Sequence, residues 1–496
     1  MVSRPSRIDD VSRCATVVPS AVAVLLALTA CGGGVEGTPG GSGVRDPYFP
    51  KAGNGGYDVT HYALDLAYVP GTHHLTGTAT ITARATQDLS AFDLDLRGLR
   101  VEQVTVDGRG ARWNRAGQEL TVRPPGELDD GDTFHVTVRY SGTPVTITDP
   151  DGSQEGWLRT ADGALALGEP TGSMAWFPGN HHPSDKASYD LAVTVPEGLR
   201  AVSNGELASE TSKGGRTTFR WRTTEPMASY LATVAIGDYT VSRSTTGGGL
   251  PVYVAVDPEQ AEESRAVLVR IPEVVQWAEG VFGPYPFSST GAIVDREYDA
   301  AYALETQNRP VFPGAPDAET LVHELAHQWY GNSVTPKTWR DMWLNEGFAT
   351  YAEWLWREDH GGDTAQQTFD ALYDENSEVL WAFPPASPSD AAHISGRSVY
   401  DRGAMVLHRI RQTVGDDRFF GILRGWASAH RHGNADTGDF TAYVERKAPG
   451  VDFGRIWEEW LYGDGKPARQ DRTGALTAPC ATPRTGGRAG GPCGGR

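Results

Sequence analysis

The chain has 496 residues, which is too long for one ordinary domain because domains usually contain about 100–200 residues. Lys and Arg number 44 against 63 Asp and Glu. The resulting formal net charge of −19 argues against a nucleic-acid-binding protein, which normally presents a basic face. A hydrophobic content of 39% with 14 Trp excludes general disorder, and four Cys are too few for a disulfide scaffold.

The N-terminus has the features of an export signal. Three arginines precede an uncharged apolar stretch over residues 15–30. This stretch is shorter than the roughly 20 residues of a membrane-spanning helix, and Pro19 interrupts it. Leu28-Thr29-Ala30-Cys31 resembles the bacterial lipobox, in which the Cys is lipidated and becomes the new N-terminus. We therefore expect residues 1–31 to be a lipoprotein signal peptide; the alternative is an ordinary cleavable signal that ends near a chance Cys.

A low-complexity segment lies at each end of the region that we expect to fold. Residues 32–46 are Gly-rich and predict a flexible tether, and residues 468–496 are rich in Arg, Gly and Pro and predict a disordered tail. An exported protein would pair Cys480 with Cys493, although two free thiols in the tail remain the alternative. We expect an extracytoplasmic protein that is lipid-anchored to a bacterial membrane, or secreted.

From about Tyr57 to Val241 the sequence shows a period-two pattern that is broken by Gly, Pro and Asp, and we assign residues 47–245 to the domain that contains it. The apolar positions of one such stretch are Phe134, Val136, Val138 and Tyr140. Short alternating segments over nearly 200 residues predict an antiparallel β domain. His181 and His182 fall in a Gly/Asn/Pro/Ser loop of this region, and we expect both at the surface.

The pattern changes to helical spacing after Val256. From Pro258 onward, apolar residues such as Ile271, Val274 and Ala278 recur at intervals of three and four. Longer segments of the same kind follow as far as Tyr462. Residues 246–467 therefore predict a second, mainly helical domain.

The strongest chemical motif is the sequence His-Glu-Leu-Ala-His, which begins at His323. In a helix, His323 and His327 lie on one face and can bind one metal ion, while Glu324 can address a water molecule. Glu346 follows after 18 further residues and supplies the third ligand that a catalytic zinc usually takes. One Zn²⁺ per chain would lower the pKa of its bound water, and Glu324 would accept the proton that this water releases. The alternative is an exposed His pair with an unrelated surface carboxylate.

This segment, HELAHQWYGNSVTPKTWRDMWLNEGFATYAEW, resembles the zinc aminopeptidases typified by aminopeptidase N and leukotriene hydrolase, the gluzincins with HExxH, 18 residues and Glu. Further similarity lies in residues 168–186, 282–287, 400–404 and 456–463, so the resemblance covers roughly residues 45–467. It implies a multidomain fold: an N-terminal antiparallel, saddle-like β domain, then a thermolysin-like α+β, mainly helical zincin catalytic domain.

The resemblance also implies roles for three further side chains. Tyr400 would stabilise the oxyanion of the tetrahedral intermediate, and Glu305 and Glu169 would bind the free amine of the substrate. In the family, the first of these glutamates lies in a Gly-Ala-Met-Glu-Asn segment. Here Tyr302 replaces the Gly and Thr306 replaces the Asn. These departures leave the zinc chemistry intact and put strict aminopeptidase action in question.

We therefore predict a zinc-dependent aminopeptidase that hydrolyses N-terminal residues from peptides. One alternative is an endopeptidase or oligopeptidase on the same zinc scaffold, and another is a catalytically weak surface-binding lipoprotein. Many relatives continue into a large C-terminal helical domain, whereas 30 residues follow Lys466 here. We expect a form without that domain, with a more open cleft. We also expect a monomer with peptide substrates, a lipid-anchored membrane association and no nucleic-acid partner.

Overall fold

The computed structural model describes residues 35–297 and 300–468. The predicted signal peptide with Cys31 lies outside the described residues, as does the predicted tail beyond residue 468 with Cys480 and Cys493. Within the described ranges, no helix combines the length and the apolar character needed to cross a membrane.

The N-terminal domain contains 17 of the described strands. Their bounds are β1 Thr38–Pro39, β2 Tyr57–Val69, β3 His74–Ala85, β4 Leu89–Asp95, β5 Arg100–Val106, β6 Arg109–Gly110, β7 Arg112–Ala116, β8 Glu119–Arg123, β9 Thr133–Gly142, β10 Thr146–Thr148, β11 Gln154–Arg159, β12 Ala164–Leu167, β13 Lys186–Pro196, β14 Arg200–Ser203, β15 Glu206–Lys213, β16 Arg216–Ala228 and β17 Val234–Gly237.

These strands form three sheets. The largest has the order β15-β16-β13-β2-β3-β9-β5-β6, and the others are β10-β11-β12-β17-β14 and β1-β4-β8-β7. All pairs are antiparallel except β13 with β2 and β1 with β4. The four apolar residues predicted to share one face of β9 are each at most 1% exposed. The predicted antiparallel β domain is confirmed, because one face of each long strand is buried against another sheet.

The described part of the predicted tether, residues 35–46, is integrated into this domain. Thr38 and Pro39 pair with β4, and the amide of Gly40 donates to the carbonyl of Ala91 at 2.8 Å. The prediction of a flexible tether is therefore wrong for these residues. Their glycines serve close packing, since a Cβ on Gly40 would lie 2.4 Å from the carbonyl oxygen of Gly55.

The prediction that His181 and His182 lie at the surface is also wrong. Their exposed fractions are 2% and 3%. Nε2 of His181 lies 3.0 Å from the carbonyl oxygen of Phe177, and Nε2 of His182 lies 3.2 Å from Oδ2 of Asp46. The loop composition suggested exposure, but the N-terminal segment that carries Asp46 covers this loop.

The C-terminal domain combines a four-stranded sheet with eight helices among the described residues. Its strands are β18 Thr240–Thr245, β19 Pro251–Val256, β20 Thr290–Asp295 and β21 Val311–Pro313, with a separate short pair, β22 Thr335–Pro336 and β23 Asn434–Ala435. Its helices are α1 Ala261–Leu268, α2 Ile271–Phe282, α3 Ala318–Ala326, α4 Trp343–Asp359, α5 Ala365–Asp374, α6 Arg397–Val414, α7 Asp416–Ala429 and α8 Thr437–Lys447. The predicted mainly helical domain is confirmed.

The boundary between the domains falls earlier than the predicted residues 245 and 246. Strand β18 pairs along its whole length with β19 and thus belongs to the sheet of the helical domain. The intervening segment 246–250 closes this hairpin, in which the amide of Gly249 donates to the carbonyl of Thr246 at 2.9 Å. A turn rich in glycine resembles a linker in sequence, and only the strand pairing distinguishes the two.

Contacts between the domains fix the segment that follows the metal-binding motif. Nζ of Lys186, at the start of β13, donates to the carbonyl oxygens of Asn332 at 2.9 Å and Ser333 at 3.0 Å. The side chain of Asn332 in turn donates to the carbonyl oxygen of Glu305 at 2.6 Å. The β domain thereby helps to position the backbone around the site.

Candidate metal centre and active site

Three side chains from two packed helices converge on one point. His323 lies in α3, His327 lies at its C-terminal end, and Glu346 lies in the first turn of α4. Oε2 of Glu346 is 3.2 Å from Nε2 of His323 and 3.4 Å from Nε2 of His327. The three candidate ligand atoms all lie within 4.8 Å of one another, and His327 and Glu346 are buried.

The start of α3 follows from local chemistry. Asp317 is the N-cap residue, and its side chain accepts a hydrogen bond from the amide of Thr320 at 2.7 Å. Glu319 adds a negative charge in the first turn, where the helix dipole favours it. A helix that begins here places residues 323 and 327 one turn apart on the same face.

Hydrogen-bond partners of the two Nδ1 atoms orient the imidazole rings. Nδ1 of His323 lies 2.5 Å from Oε1 of Glu353, and Nδ1 of His327 lies 3.0 Å from the carbonyl oxygen of Tyr330. Each acceptor fixes the tautomer that protonates Nδ1 and leaves the lone pair of Nε2 directed toward Glu346. Such outer partners are the usual companions of metal-binding histidines.

This donor set fits a zinc ion. Two imidazole nitrogens and one carboxylate oxygen are ligands of the type found in catalytic zinc sites, which keep a fourth position open. Burial acts to lower the pKa of His327, but the Glu346 and Glu305 carboxylates outweigh it and raise that pKa to about 9. Burial acts in the opposite direction on Glu346, where His327 and His323 prevail and lower the pKa to about 2. The carboxylates of this pocket therefore stabilise a positive charge placed among them.

Glu324 lies beside the ligands with its side chain directed into the same space. One of its carboxylate oxygens, one of Glu305 and a ring nitrogen of His327 all lie within 4.8 Å of one another. Burial raises the pKa of Glu324 to about 8, against the opposing charges of His323 and His327. A carboxyl group in this position is suited to take up and release a proton near neutral pH.

Glu169 and Glu305 form a carboxyl pair beside the ligands. Glu169 follows β12, and Glu305 follows Leu304, whose backbone pairs with Val311 of β21. Their carboxylate oxygens lie within 4.8 Å of one another and of a Glu346 oxygen. Burial raises the pKa of both groups, and the Glu305 charge raises that of Glu169 further. Two carboxyls in this arrangement form a binding site for a cation such as an ammonium group.

Tyr400 completes the set of side chains predicted from the sequence. It lies in the first turn of α6, and its ring stacks parallel to that of His323 with a centroid separation of 5.9 Å and an interplanar angle of 9°. Burial raises the pKa of its hydroxyl well above the usual range, so the group is a permanent hydrogen-bond donor near neutral pH.

One cavity of about 350 Å³ contains all of these groups. Its lining includes the seven predicted active-site residues: Glu169, Glu305, His323, Glu324, His327, Glu346 and Tyr400. Residues more than 200 positions apart in the chain thus meet at one site. Cys31, the predicted lipidation residue, lies outside the described residues.

Comparisons with known proteins agree with this geometry. The model of the peptidase M1 N-terminal domain matches residues 58–231, and that of the peptidase family M1 domain matches residues 315–460. The crystal structure of an M1 zinc metallopeptidase from Deinococcus radiodurans is 30% identical, with a TM-score of 0.79. The alignment covers 88% of this chain and 100% of that one.

The chain belongs to the M1 zinc metallopeptidase family.

Another structure of the Deinococcus radiodurans M1 metallopeptidase holds a Tyr-Ser-Ala substrate, and its match covers 86% of this chain at 30% identity with a TM-score of 0.77. Longer relatives include glutamyl aminopeptidase of Sus scrofa, 25% identical over 470 residues, and probable aminopeptidase 1 of Saccharolobus solfataricus, 26% identical over 403 residues. These matches cover 82% and 76% of this chain but 47% and 50% of the relatives. The chain therefore spans about half the length of these two relatives.

Sequence reasoning missed Glu353, which orients His323 in this M1 site. The spacing could have revealed it, because Glu353 follows Glu346 by seven residues, two helical turns along the same face of α4. Reasoning from the sequence also missed Asp149 and Asp151, which line the cavity from the turn between β10 and β11. Nothing in their local sequence marks them, since Asp-Pro-Asp-Gly-Ser is an ordinary turn.

Proposed function

We propose that this protein is a zinc-dependent aminopeptidase that removes N-terminal residues from peptides. The observation that carries the proposal is the distance between two sites. The carboxyl pair of Glu169 and Glu305 lies within 4.8 Å of the ligand oxygen of Glu346. A peptide whose free amine occupies this pair has its first carbonyl beside the ligands, so the first peptide bond is the one that is presented.

His323, His327 and Glu346 would hold the zinc ion. When bound, zinc supplies a Lewis acid that polarises a carbonyl group and increases the acidity of water. The carboxylate of Glu324 accepts the proton of the attacking water and passes it to the nitrogen of the leaving amine. The hydroxyl of Tyr400 donates a hydrogen bond to the carbonyl oxygen as negative charge develops there.

Glu169 and Glu305 bind the substrate rather than take part in proton transfer. An α-ammonium group between their carboxyl groups gains charge-assisted hydrogen bonds, and an internal peptide nitrogen cannot replace them. The relative that binds Tyr-Ser-Ala and the relatives named as aminopeptidases support this assignment. An endopeptidase or oligopeptidase on the same scaffold is the competing function, because Tyr302 and Thr306 depart from the family pattern beside Glu305.

A matched pair of substrates decides between these functions. One peptide is supplied with a free amine and its twin with an acetylated amine, and the rates of cleavage are compared by mass spectrometry. We expect cleavage of the first bond in the free peptide only. Equal cleavage of the acetylated twin would establish the endopeptidase and refute the aminopeptidase.

A variant tests whether the protein is an enzyme or a binding protein on an enzyme scaffold. Glu324→Gln is expected to abolish hydrolysis while zinc content by metal analysis stays at one per chain. Glu319→Gln, on the same helix but outside the cavity lining, serves as the control and should retain activity. Wild-type protein that binds peptides and zinc without turnover would instead support the surface-binding alternative.

We further propose that the chain is exported and anchored by a lipid on Cys31, and that it acts as a monomer. The basic start, the short apolar stretch and the Leu-Thr-Ala-Cys sequence support the anchor. Expression of the full chain in a bacterium, followed by mass spectrometry of the N-terminus, tests it. Cys31→Ala should remove the lipid and release the protein from membranes, whereas the control Cys14→Ala should not. Light scattering measures the oligomeric state.

A further inference from the structure

The end of the cavity beyond the carboxyl pair is formed by the turn between β10 and β11. Asp149, in this turn, is hydrogen-bonded to Glu155, and Glu155 accepts hydrogen bonds from the amides of Thr171 at 2.9 Å and Gly172 at 2.7 Å. These amides follow Glu169 by two and three residues. The turn therefore lies at the amine-binding end of the cavity, where the side chain of the first substrate residue must be placed.

This end of the cavity is negatively charged. Asp149 and Asp151 line it, and Asp149 is 8% exposed with no donor to its Oδ2. No Lys or Arg is among the described residues that line the cavity. The charge of Arg97 acts on Asp149, but this exposed residue does not contribute to the lining. A cation in the cavity would therefore meet no Lys or Arg side chain in the described lining, although Arg97 acts on Asp149 from outside it.

Asp149 and Glu155 divide one proton between them. Burial raises the pKa of Asp149 to about 6, and burial together with the Asp149 charge raises that of Glu155 well above its usual range. The two carboxyl groups titrate as a pair, and the pair is expected to carry one negative charge near neutral pH. Asp149 is the member of this pair that lines the cavity, and its Oδ2 has no hydrogen-bond donor in the described part of the chain.

Tyr302 gives the same region an apolar wall and a polar atom without a partner. Its hydroxyl is buried and has no hydrogen-bond partner among the described residues. Burial raises the pKa of this hydroxyl, and the charges of nearby Glu155, Glu169 and Asp149 raise it further. Ile394 adds a second apolar side chain to the lining. Apolar flanks that lead to carboxylates suit a long aliphatic side chain that ends in a cation.

We propose that Asp149, Asp151 and Tyr302 make the site selective for peptides whose first residue is Arg or Lys. The proposal rests on the aminopeptidase function above and names its substrate class. The guanidinium or ammonium group would contact Asp149 and Asp151, and the methylene groups would pack against Tyr302 and Ile394. A negatively charged first residue would be rejected by the same carboxylates.

The test compares side chains that differ in charge and little in shape. Arginine and its uncharged isostere citrulline are each coupled to a fluorogenic coumarin amine, and kcat/KM is measured for both, with lysine, leucine and glutamate derivatives alongside. We expect arginine to exceed citrulline by at least ~10-fold, which corresponds to ~1.4 kcal/mol, and glutamate to be the poorest substrate. Equal values for arginine and citrulline would overturn the proposal.

Variants assign the preference to the turn. Asp151→Asn, at an exposed position where folding is not at stake, should lower the arginine-to-citrulline ratio toward one, and Asp149→Asn should do so as well. Asp130→Asn, an exposed residue of the same domain outside the lining, should keep the wild-type ratio. An unchanged ratio in both turn variants would overturn the proposal.

The experiment distinguishes a failure of the proposed selectivity from a failure of the proposed aminopeptidase function. Turnover of every free-amine substrate without preference for arginine refutes the selectivity and leaves the aminopeptidase intact. If no free-amine substrate is hydrolysed, the aminopeptidase function fails. The selectivity is then measured as the affinity of the zinc-loaded protein for L-arginine against L-citrulline by calorimetry, and equal affinities refute it.

Discussion

Gly347 and Gly403 bring the backbones of α4 and α6 into direct contact. A Cβ on Gly347 would lie 2.9 Å from the carbonyl carbon of Gly403 and 3.0 Å from its Cα. Glu346 precedes the first glycine by one residue, and Tyr400 precedes the second by three. The crossing of the two helices therefore sets how closely Tyr400 approaches the metal ligands.

Gly347→Ala is expected to separate these helices. The added methyl group would meet backbone atoms that cannot rotate away, so we expect a loss of about 1–3 kcal/mol in the free energy of unfolding and a fall in kcat as Tyr400 moves. Denaturant unfolding and steady-state kinetics measure the two effects. Gly280→Ala in α2, where nothing lies within 4 Å of the new Cβ, is the control and should not destabilise the protein. Wild-type stability and kcat in Gly347→Ala would contradict the prediction.

Glu353→Gln is expected to weaken zinc binding without removing a ligand. The carboxylate of Glu353 lies 2.5 Å from Nδ1 of His323 and increases the basicity of that ring. We expect the dissociation constant for zinc to rise by about 10–100-fold, as measured by competition with a chelating dye. Glu319→Gln should leave the constant unchanged. An affinity in Glu353→Gln equal to that of the wild type would show that the ring needs no such partner.

Asp46 is expected to be a large contributor to stability at the junction of the domains. Its Oδ2 accepts from the amide of Trp339 at 2.9 Å and lies 3.2 Å from Nε2 of His182. Asp46→Ala would leave both groups buried without an acceptor, so we expect a loss of about 2–4 kcal/mol in the free energy of unfolding. Tyr48→Phe removes one nearby hydrogen bond, to the carbonyl of Pro388, and should cost about 1 kcal/mol. Equal losses in the two variants would contradict the prediction.

His181 is expected to make the protein sensitive to mild acid. Burial lowers its pKa to about 4 in the folded state, against 6.5 for an unperturbed histidine. Between these values the unfolded chain binds more protons than the folded one, so the free energy of unfolding falls as the pH falls from 6.5 to 4. The full penalty is about 3 kcal/mol, since one pKa unit corresponds to about 1.4 kcal/mol.

The variant His181→Gln isolates this contribution. Its side-chain amide can still donate to the carbonyl of Phe177, but it does not titrate. Denaturant unfolding at pH 7, 6 and 5 should show a smaller loss of stability in the variant than in the wild type. Parallel curves for the two proteins would show that His181 is not the responsible group.

The parts of the site that lie close together in sequence were predictable. His323, Glu324 and His327 are placed by the period of one helix, and Glu346 follows in the next helix after a short connection. Alternation in strands such as β9 likewise predicted which face is buried. Local periodicity decides both, because it depends on neighbours a few residues apart.

Positions that depend on partners distant in sequence were not predictable. The Gly-rich residues 35–46 were assigned to a tether, and His181 was assigned to the surface. Both assignments relied on composition, which gives the average tendency of a segment and does not show which distant segments pack against it. The pairing of β18 with β19 was missed for the same reason, and the predicted boundary after residue 245 therefore fell at the end of β18, within this hairpin.

The sequence by itself determined the reaction class of this protein, because zinc ligands and a general base are specified by residue types at helical spacing. Only the tertiary structure decided what surrounds them. It brought Glu169 and the Asp149–Ser153 turn from the β domain to the same cavity as Glu305 and the ligands. The pairing of strands and the crossing of helices fix such long-range distances, and no periodicity within the chain encodes them.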